Sequence, residues 1–192
     1  LILVGNGFKE FNINDSAMAY YNECYQLAEA KNNYEKQFDA ANNLDLLFSS
    51  MNKWDSVQYY HKRLLQIQPK TIYTSYEVQS NWTKTLKKFE RFKESITTSW
   101  ECIDLAKKTK LDDKEFCDVY KTIGFSYSYL NKTDSALWYL QQAVSSYERF
   151  MEKEDYSKKF ISPLADEYEL YSHLQRLLIQ KNRLNEWLSI SE

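Results

Sequence analysis

Glycine and proline are scarce in this sequence, with three glycines and two prolines among 192 residues. Sandwiches and barrels of β-strands need these residues repeatedly at their turns, so the scarcity argues against a β-rich fold. It also leaves no room for a glycine-rich loop that would cradle a phosphate group. Hydrophobic residues make up 43% of the chain, which is enough for a packed core. The composition therefore predicts an all-helical protein.

Catalytic and metal-binding side chains are few as well. The histidines are His61 and His173, and the cysteines are Cys24, Cys102 and Cys117. No CxxC pair, no histidine at metal-ligand spacing and no nucleophile motif occurs. We therefore expect no enzymatic activity, no cofactor and no bound metal. The odd number of cysteines argues against a disulfide framework, and we expect buried thiols in a cytoplasmic protein.

Neither sign of charge is in large excess, because 25 basic and 27 acidic residues give a net charge of −2. Nucleic-acid-binding proteins usually carry a basic surplus, so we expect no nucleic-acid binding by this segment. No apolar stretch approaches the roughly 18 residues that cross a bilayer, so we also expect no membrane contact by this segment. The chain starts at Leu1 rather than Met, and we interpret it as a fragment of a longer protein, which could itself be attached to a membrane.

An internal repeat is clearest in residues 117–150, which read as two amphipathic helices separated by a polar break. The positions that define the repeat are Tyr120, Ile123, Gly124, Tyr127, Ala136, Leu140 and Ala143. Gly124 and Ala136 are small where two antiparallel helices would cross closely, and a larger side chain would push the helices apart. This segment resembles the tetratricopeptide repeat, a helical hairpin of about 34 residues.

The same pattern recurs along the chain. It gives five units, at residues 1–31, 38–71, 76–109, 117–150 and 168–192, of which the first and last are truncated. The glycine position of the repeat is occupied by Gly5, Asp45, Thr83 and Gly124 in the first four units. Asp-Ser pairs precede three second helices, at Asp15-Ser16, Asp55-Ser56 and Asp134-Ser135, and we expect them, or Thr133, to cap those helices.

The resemblance implies an all-α fold, an α-α superhelix in which about five helical hairpins form a right-handed solenoid over a single domain, residues 1–192. In such proteins the first helix of each pair lines a concave surface that binds peptides or proteins. On that basis the expected binding residues are Asn6, Lys9, Asn42, Asn43, Leu46, Ser50, Asn81, Lys84, Lys87, Lys88, Lys121, Phe125, Tyr129 and Arg176.

The chemistry of these residues suggests a polar and basic groove. Leu46, Phe125 and Tyr129 are the expected apolar anchors, the asparagine amides suit an extended peptide backbone, and the lysines suit acidic groups. The family members that clamp a C-terminal carboxylate need basic residues where this chain has Ile2, Glu77 and Asn81, so that subtype is rejected.

The function expected from the resemblance is a non-catalytic scaffold that binds a protein or peptide. We expect it to be the sensor or interaction segment of a bacterial regulatory or signalling protein, with transcription regulation as one setting. The alternative is a structural module that dimerises its parent protein, which would make the chain a homodimer.

Overall fold

The structure is a computed structural model that describes residues 1–67, 71–153 and 168–181. These residues form helices joined by short turns and contain no β-strand. The helices are α1 (Ile2–Glu10), α2 (Asn14–Ala30), α3 (Tyr34–Ser50), α4 (Trp54–Gln66), α5 (Ile72–Lys88), α6 (Phe92–Thr109), α7 (Asp113–Tyr129), α8 (Thr133–Lys153) and α9 (Tyr168–Gln180). The prediction of an all-α fold is confirmed. The second half of the last predicted unit, residues 182–192, lies outside the described residues.

The chain divides into two compact units, Leu1–Thr85 and Leu86–Glu192. In unit 1, α1 packs on α2, α2 on α3, and α3 on α4. In unit 2, α6 packs on α7, α7 on α8, and α8 on α9. Within each unit, helices that follow each other in sequence are therefore neighbours in space, as a helical repeat requires. A single domain covering residues 1–192 stays a prediction.

The glycine position allows the two helices of a hairpin to touch. A Cβ atom added at Gly124 would lie 2.7 Å from Cγ of Leu140 and 3.2 Å from its backbone nitrogen. A Cβ atom at Gly5 would lie 2.5 Å from a ring carbon of Tyr21. All three distances are shorter than van der Waals contact, so only glycine fits these crossings without a shift. The predicted close approach of α7 and α8 is confirmed.

An aromatic pair stacks inside three of the hairpins. Phe8 lies on Tyr20 with ring centroids 5.5 Å apart, and Phe48 lies on Tyr60 at 5.4 Å. The third pair, Tyr127 on Tyr139, has a centroid separation of 5.5 Å. Each pair occupies the same two positions of the repeat, one on the first helix and one on the second. Their stacking adds to the burial of apolar surface between the two helices.

The turns inside the hairpins share one backbone conformation. Asn12, Asn52, Glu90 and Asn131 each have a positive φ, between 57° and 60°. At the last of these turns, the N–H of Asn131 donates to the carbonyl of Ser128 and the N–H of Lys132 donates to that of Tyr127, both at 2.9 Å. Asparagine tolerates this left-handed region better than most residues, which explains its recurrence.

The expected capping by Asp-Ser pairs is wrong. The residues before α2 and α4 are Ile13 and Lys53, and neither makes a side-chain capping bond. Asp15, Asp55 and Asp134 lie inside the first turns instead. A carboxylate there interacts favourably with the positive end of the helix dipole. Thr133 is already the first residue of α8, so it too lies inside the helix and not before it.

The three cysteines are part of the core. Cys24, Cys102 and Cys117 are buried and form no disulfide, which confirms the prediction of buried thiols. Burial raises the pKa of the Cys24 thiol. Across the described ranges, every helix is too short or too polar to cross a bilayer.

Candidate protein-binding surface

The first-helix surface of unit 1 is built around a chain of amides. The side-chain amide of Asn81 on α5 donates to Oδ1 of Asn42 on α3 at 3.1 Å. Asn42 in turn donates to Oε1 of Glu77 at 3.2 Å. These bonds join α3 to α5 and hold the amide groups in fixed orientations at a half-buried surface. We call Asn42, Glu77 and Asn81 the amide chain.

Glu77 gives the amide chain an unusual carboxyl group. Its pKa is raised, because burial disfavours the charged form and the nearby Asp39 carboxylate repels it, while the hydrogen bond from Asn42 acts in the opposite direction. Asn42 is one of the expected binding residues, but its side-chain amide already makes hydrogen bonds within the protein, between α3 and α5. The sequence offers no sign of this arrangement, since Asn42 and Glu77 lie far apart in the chain.

The other expected binding residues of unit 1 differ in their hydrogen bonds and in their exposure to solvent. Asn6 accepts a hydrogen bond from the hydroxyl of Tyr21 at 2.7 Å, and Asn43 donates to the carbonyl of Asp39 at 2.8 Å. Ser50 donates to a carbonyl of its own helix. The remaining three are Lys9 and Leu46, which are half-buried, and Lys84, which is exposed.

The first-helix surface of unit 2 holds a compact cationic cluster, which we define as Lys87, Phe125, His173 and Arg176. Nζ of Lys87 lies 4.7 Å from the centroid of the Phe125 ring, and the His173 ring lies 4.7 Å from the same ring. Nη2 of Arg176 lies 2.6 Å from Nδ1 of His173. These contacts bring residues of α5, α7 and α9 together at one place.

His173 is neutral within this cluster. Its pKa is lowered to about 4, chiefly by burial and further by the positive charges of Arg176 and Lys87, while Glu169 acts against them. A guanidinium group can only donate, so Nδ1 of His173 accepts from Arg176 and the proton is on Nε2. Nε2 then donates to Oγ of Ser128, 2.8 Å away. The cluster therefore carries the two permanent charges of Lys87 and Arg176.

Phe125 is buried, contrary to the exposed position expected for it. Its side chain is 2% exposed, and the ammonium group of Lys87 lies over its ring. Tyr129 is an exposed aromatic residue as expected, and it stacks on Phe92 with ring centroids 4.8 Å apart. Lys121 pairs with Asp118 at 3.4 Å, and Lys88 is exposed.

Two residues connect the expected ones and are not among the predicted binding residues: Glu77 and His173. His173 precedes Arg176 by one helical turn, so its place beside that residue could have been found from the spacing. The other histidine, His61, is buried and stacks on Trp82 with ring centroids 3.9 Å apart. Within the described ranges, no group of side chains is arranged to hold a metal ion.

Comparison of the sequence with protein-family models and with curated proteins gives no match. Comparison of the structure finds a similar fold in MamA, residues 41 to the end, from Desulfovibrio magneticus RS-1. The TM-score is 0.60 at 14% sequence identity, and the match covers 97% of this chain and 86% of the other. MamA is a tetratricopeptide-like helical-repeat protein, so this chain has a tetratricopeptide-like fold.

Proposed function

We propose that this chain is an interaction module that binds an extended, acidic segment of a partner protein on its first-helix surface. The tetratricopeptide-like fold is one that serves as a protein-interaction scaffold. The observation that carries the proposal is the cationic cluster of unit 2, where Lys87 and Arg176 flank a neutral histidine. An acidic side chain placed between the two cations would gain charge-assisted hydrogen bonds.

Two exposed residues on the helices that carry Lys87 and Phe125 extend the proposed site. Lys88 adds a further positive charge, and Tyr129 provides an exposed ring that an apolar side chain of the partner can cover. Phe125 contributes by positioning Lys87 rather than by touching the partner. Taken by itself, the amide chain of unit 1 offers amide groups that both donate and accept hydrogen bonds, which suits the backbone of an extended segment. The proposed setting is a bacterial regulatory or signalling protein.

The test compares two double variants with equal changes in charge. Lys87→Glu with Arg176→Glu reverses the cluster, whereas Lys107→Glu with Lys108→Glu reverses two exposed lysines on α6, a second helix. Fluorescence anisotropy measures binding of labelled peptide libraries that are acidic, neutral or basic. We expect the wild type to select acidic peptides and the cluster variant to lose affinity by about tenfold or more.

The control variant should keep its affinity apart from a small effect of net charge, and raising the salt concentration should weaken wild-type binding. Equal losses in both variants would show that only net charge matters and would contradict a specific site. A wild type that selects no peptide class would contradict the proposal as a whole.

A second candidate function is dimerisation of the parent protein. One observation favours it: the helix α1 and the turn after it expose Leu3 and Phe11, whose exposed fractions are 84% and 79%. Exposed apolar side chains mark a protein interface where they form a contiguous patch, and this candidate function needs the two residues to do so.

A further inference from the structure

Two successive hydrogen bonds connect Arg176, one of the cations of the cationic cluster, to α7. Nη2 of Arg176 lies 2.6 Å from Nδ1 of His173, and Nε2 of His173 lies 2.8 Å from Oγ of Ser128. Arg176 and His173 lie one turn apart on α9, whereas Ser128 belongs to α7. We call Ser128, His173 and Arg176 the relay. Through the relay, the guanidinium group of one helix is attached to a second helix.

The hydrogen bonds of the relay require a neutral imidazole ring. Because the guanidinium group only donates, Nδ1 of His173 must be the acceptor, and Nε2 then carries the proton that Oγ of Ser128 accepts. Protonation of the ring would turn Nδ1 into a donor and break its bond to Arg176. The lowered pKa of His173, about 4, keeps the ring neutral at neutral pH. The ring can therefore hold the guanidinium group at the pH where acidic side chains are charged.

Packing alone does not require a histidine at this position. The half-buried ring of His173 lies 4.7 Å from the buried ring of Phe125. A leucine side chain could cover the same ring, but it could neither accept a hydrogen bond from Arg176 nor donate one to Ser128. What the imidazole ring adds to this place is therefore a fixed orientation of the guanidinium group.

A fixed orientation matters because Arg176 is exposed. A long, exposed side chain populates many rotamers, and a ligand that immobilises it loses part of the binding free energy to that ordering. A guanidinium group has several N–H donors and His173 takes one of them, so the others can reach a carboxylate of the partner. We propose that Ser128 and His173 are positioning residues that hold the Arg176 guanidinium ready for the acidic group of a bound segment. This inference rests on the proposed function.

The test compares two substitutions of His173 in the whole chain. The probe is a fluorescently labelled oligoglutamate peptide with blocked ends, and anisotropy measures its affinity. His173→Gln keeps one acceptor and one donor at the end of the side chain, whereas His173→Leu removes both. We expect His173→Gln to bind within about twofold of the wild type and His173→Leu to bind about three- to tenfold more weakly. Ser128→Ala removes the anchor on α7 and should weaken binding by about two- to fivefold.

A neighbouring serine provides the matched control. Ser172 is half-buried like Ser128 and adjoins His173, but its hydroxyl group donates to the carbonyl of Glu169 in its own helix. Ser172→Ala should leave the affinity unchanged, and circular dichroism melts show that every variant is folded. The inference is wrong if His173→Leu binds as tightly as the wild type. It is also wrong if His173→Gln loses as much affinity as His173→Leu, because ring shape rather than hydrogen bonding would then decide binding.

NMR without any peptide separates this inference from the proposed function. The bond to His173 slows rotation of the guanidinium group, so the Nη groups of Arg176 should give separate ¹⁵N signals in the wild type and in His173→Gln. In His173→Leu they should merge into one averaged signal. The same signals in all three proteins would overturn the inference, whatever the peptide does. Separate signals in a wild type that binds no acidic peptide would support the hold on Arg176 and contradict the proposed function.

Discussion

At the residue scale, Asp45 is the clearest departure from the repeat. It occupies the glycine position of the second hairpin, is 1% exposed, and within the described ranges neither of its carboxylate oxygens has a hydrogen-bond partner. Burial raises its pKa to about 7. A carboxylate in this place is costly, because the charged form loses its hydration without gaining a partner. Asp45 is therefore a group whose protonation supports the fold of unit 1.

The direction of the pKa shift of Asp45 determines how the stability of the fold depends on pH. The pKa of Asp45 rises from 3.8 to about 7 on folding, so the folded chain retains a proton that the unfolded chain releases. Its contribution to stability is complete below pH 3.8 and is lost as the pH rises through about 7. We expect Asp45→Asn to remove this loss and to raise the free energy of unfolding above neutral pH, by at most about 4 kcal/mol.

Urea denaturation of the wild type and of Asp45→Asn at about pH 5 and about pH 8 checks this expectation. The difference between the two proteins should grow with pH. Asp104→Asn, which removes an exposed carboxylate, is the control and should show no such growth. A difference that stays constant with pH would mean that Asp45 is already ionised in the folded protein at both pH values.

The residue scale also shows what could not be predicted from the sequence. The spacing of Gly124, Leu140 and Cys102 predicts their burial, because such positions depend on one hairpin. The burial of Phe125 depends on Lys87 and His173, which come from two other helices. Helix periodicity describes one helix at a time, so it cannot report which neighbour covers an outward-facing residue.

At the element scale, two hairpins pair a glycine on the first helix with a large side chain on the second. Gly5 and Gly124 meet the large side chains Tyr21 and Leu140. In the second hairpin the same spacing in sequence places Asp45 and His61 at these positions, and both are buried. The glycine position therefore accepts another residue type, since α3 and α4 form with Asp45 there.

This packing predicts opposite effects for the same substitution at two helical glycines. Gly124→Ala should destabilise unit 2 by about 1–3 kcal/mol, because its Cβ would overlap Leu140. Gly7→Ala should stabilise unit 1 by about 0.5–1 kcal/mol, because no atom lies within 4 Å of the added Cβ and alanine favours the helix. Thermal melts followed by circular dichroism measure both changes. Equal effects at the two glycines would mean that helix propensity, rather than crossing distance, decides the outcome.

The elements also show how far the repeat could be predicted. The hairpins follow from the spacing of apolar and small residues. The aromatic pairs Phe8–Tyr20, Phe48–Tyr60 and Tyr127–Tyr139 were not recognised, although their equal separation in sequence is a visible signal. The capping prediction fails because α2 and α4 begin before Asp15 and Asp55, so these residues lie inside the first turn and not at the position before it.

At the scale of the whole molecule, charge and exposed apolar surface determine association. The net charge of −2 gives little repulsion between copies of the chain. Leu3 and Phe11 are the most exposed of the large apolar side chains that the structure describes. We therefore expect the chain to form dimers as its concentration rises, with these two residues in the contact.

Sedimentation velocity over a wide range of concentrations tests this last prediction. Leu3→Lys with Phe11→Lys should keep the chain monomeric, because burying two ammonium groups at the contact is unfavourable. Leu27→Lys with Leu65→Lys adds the same charge at two other exposed apolar residues, and that variant should still dimerise. Peptide binding at the cationic cluster should be the same in both variants, since neither changes unit 2. A wild type that stays monomeric at every concentration would remove dimerisation as a function, and loss of dimers in both variants would attribute association to net charge alone.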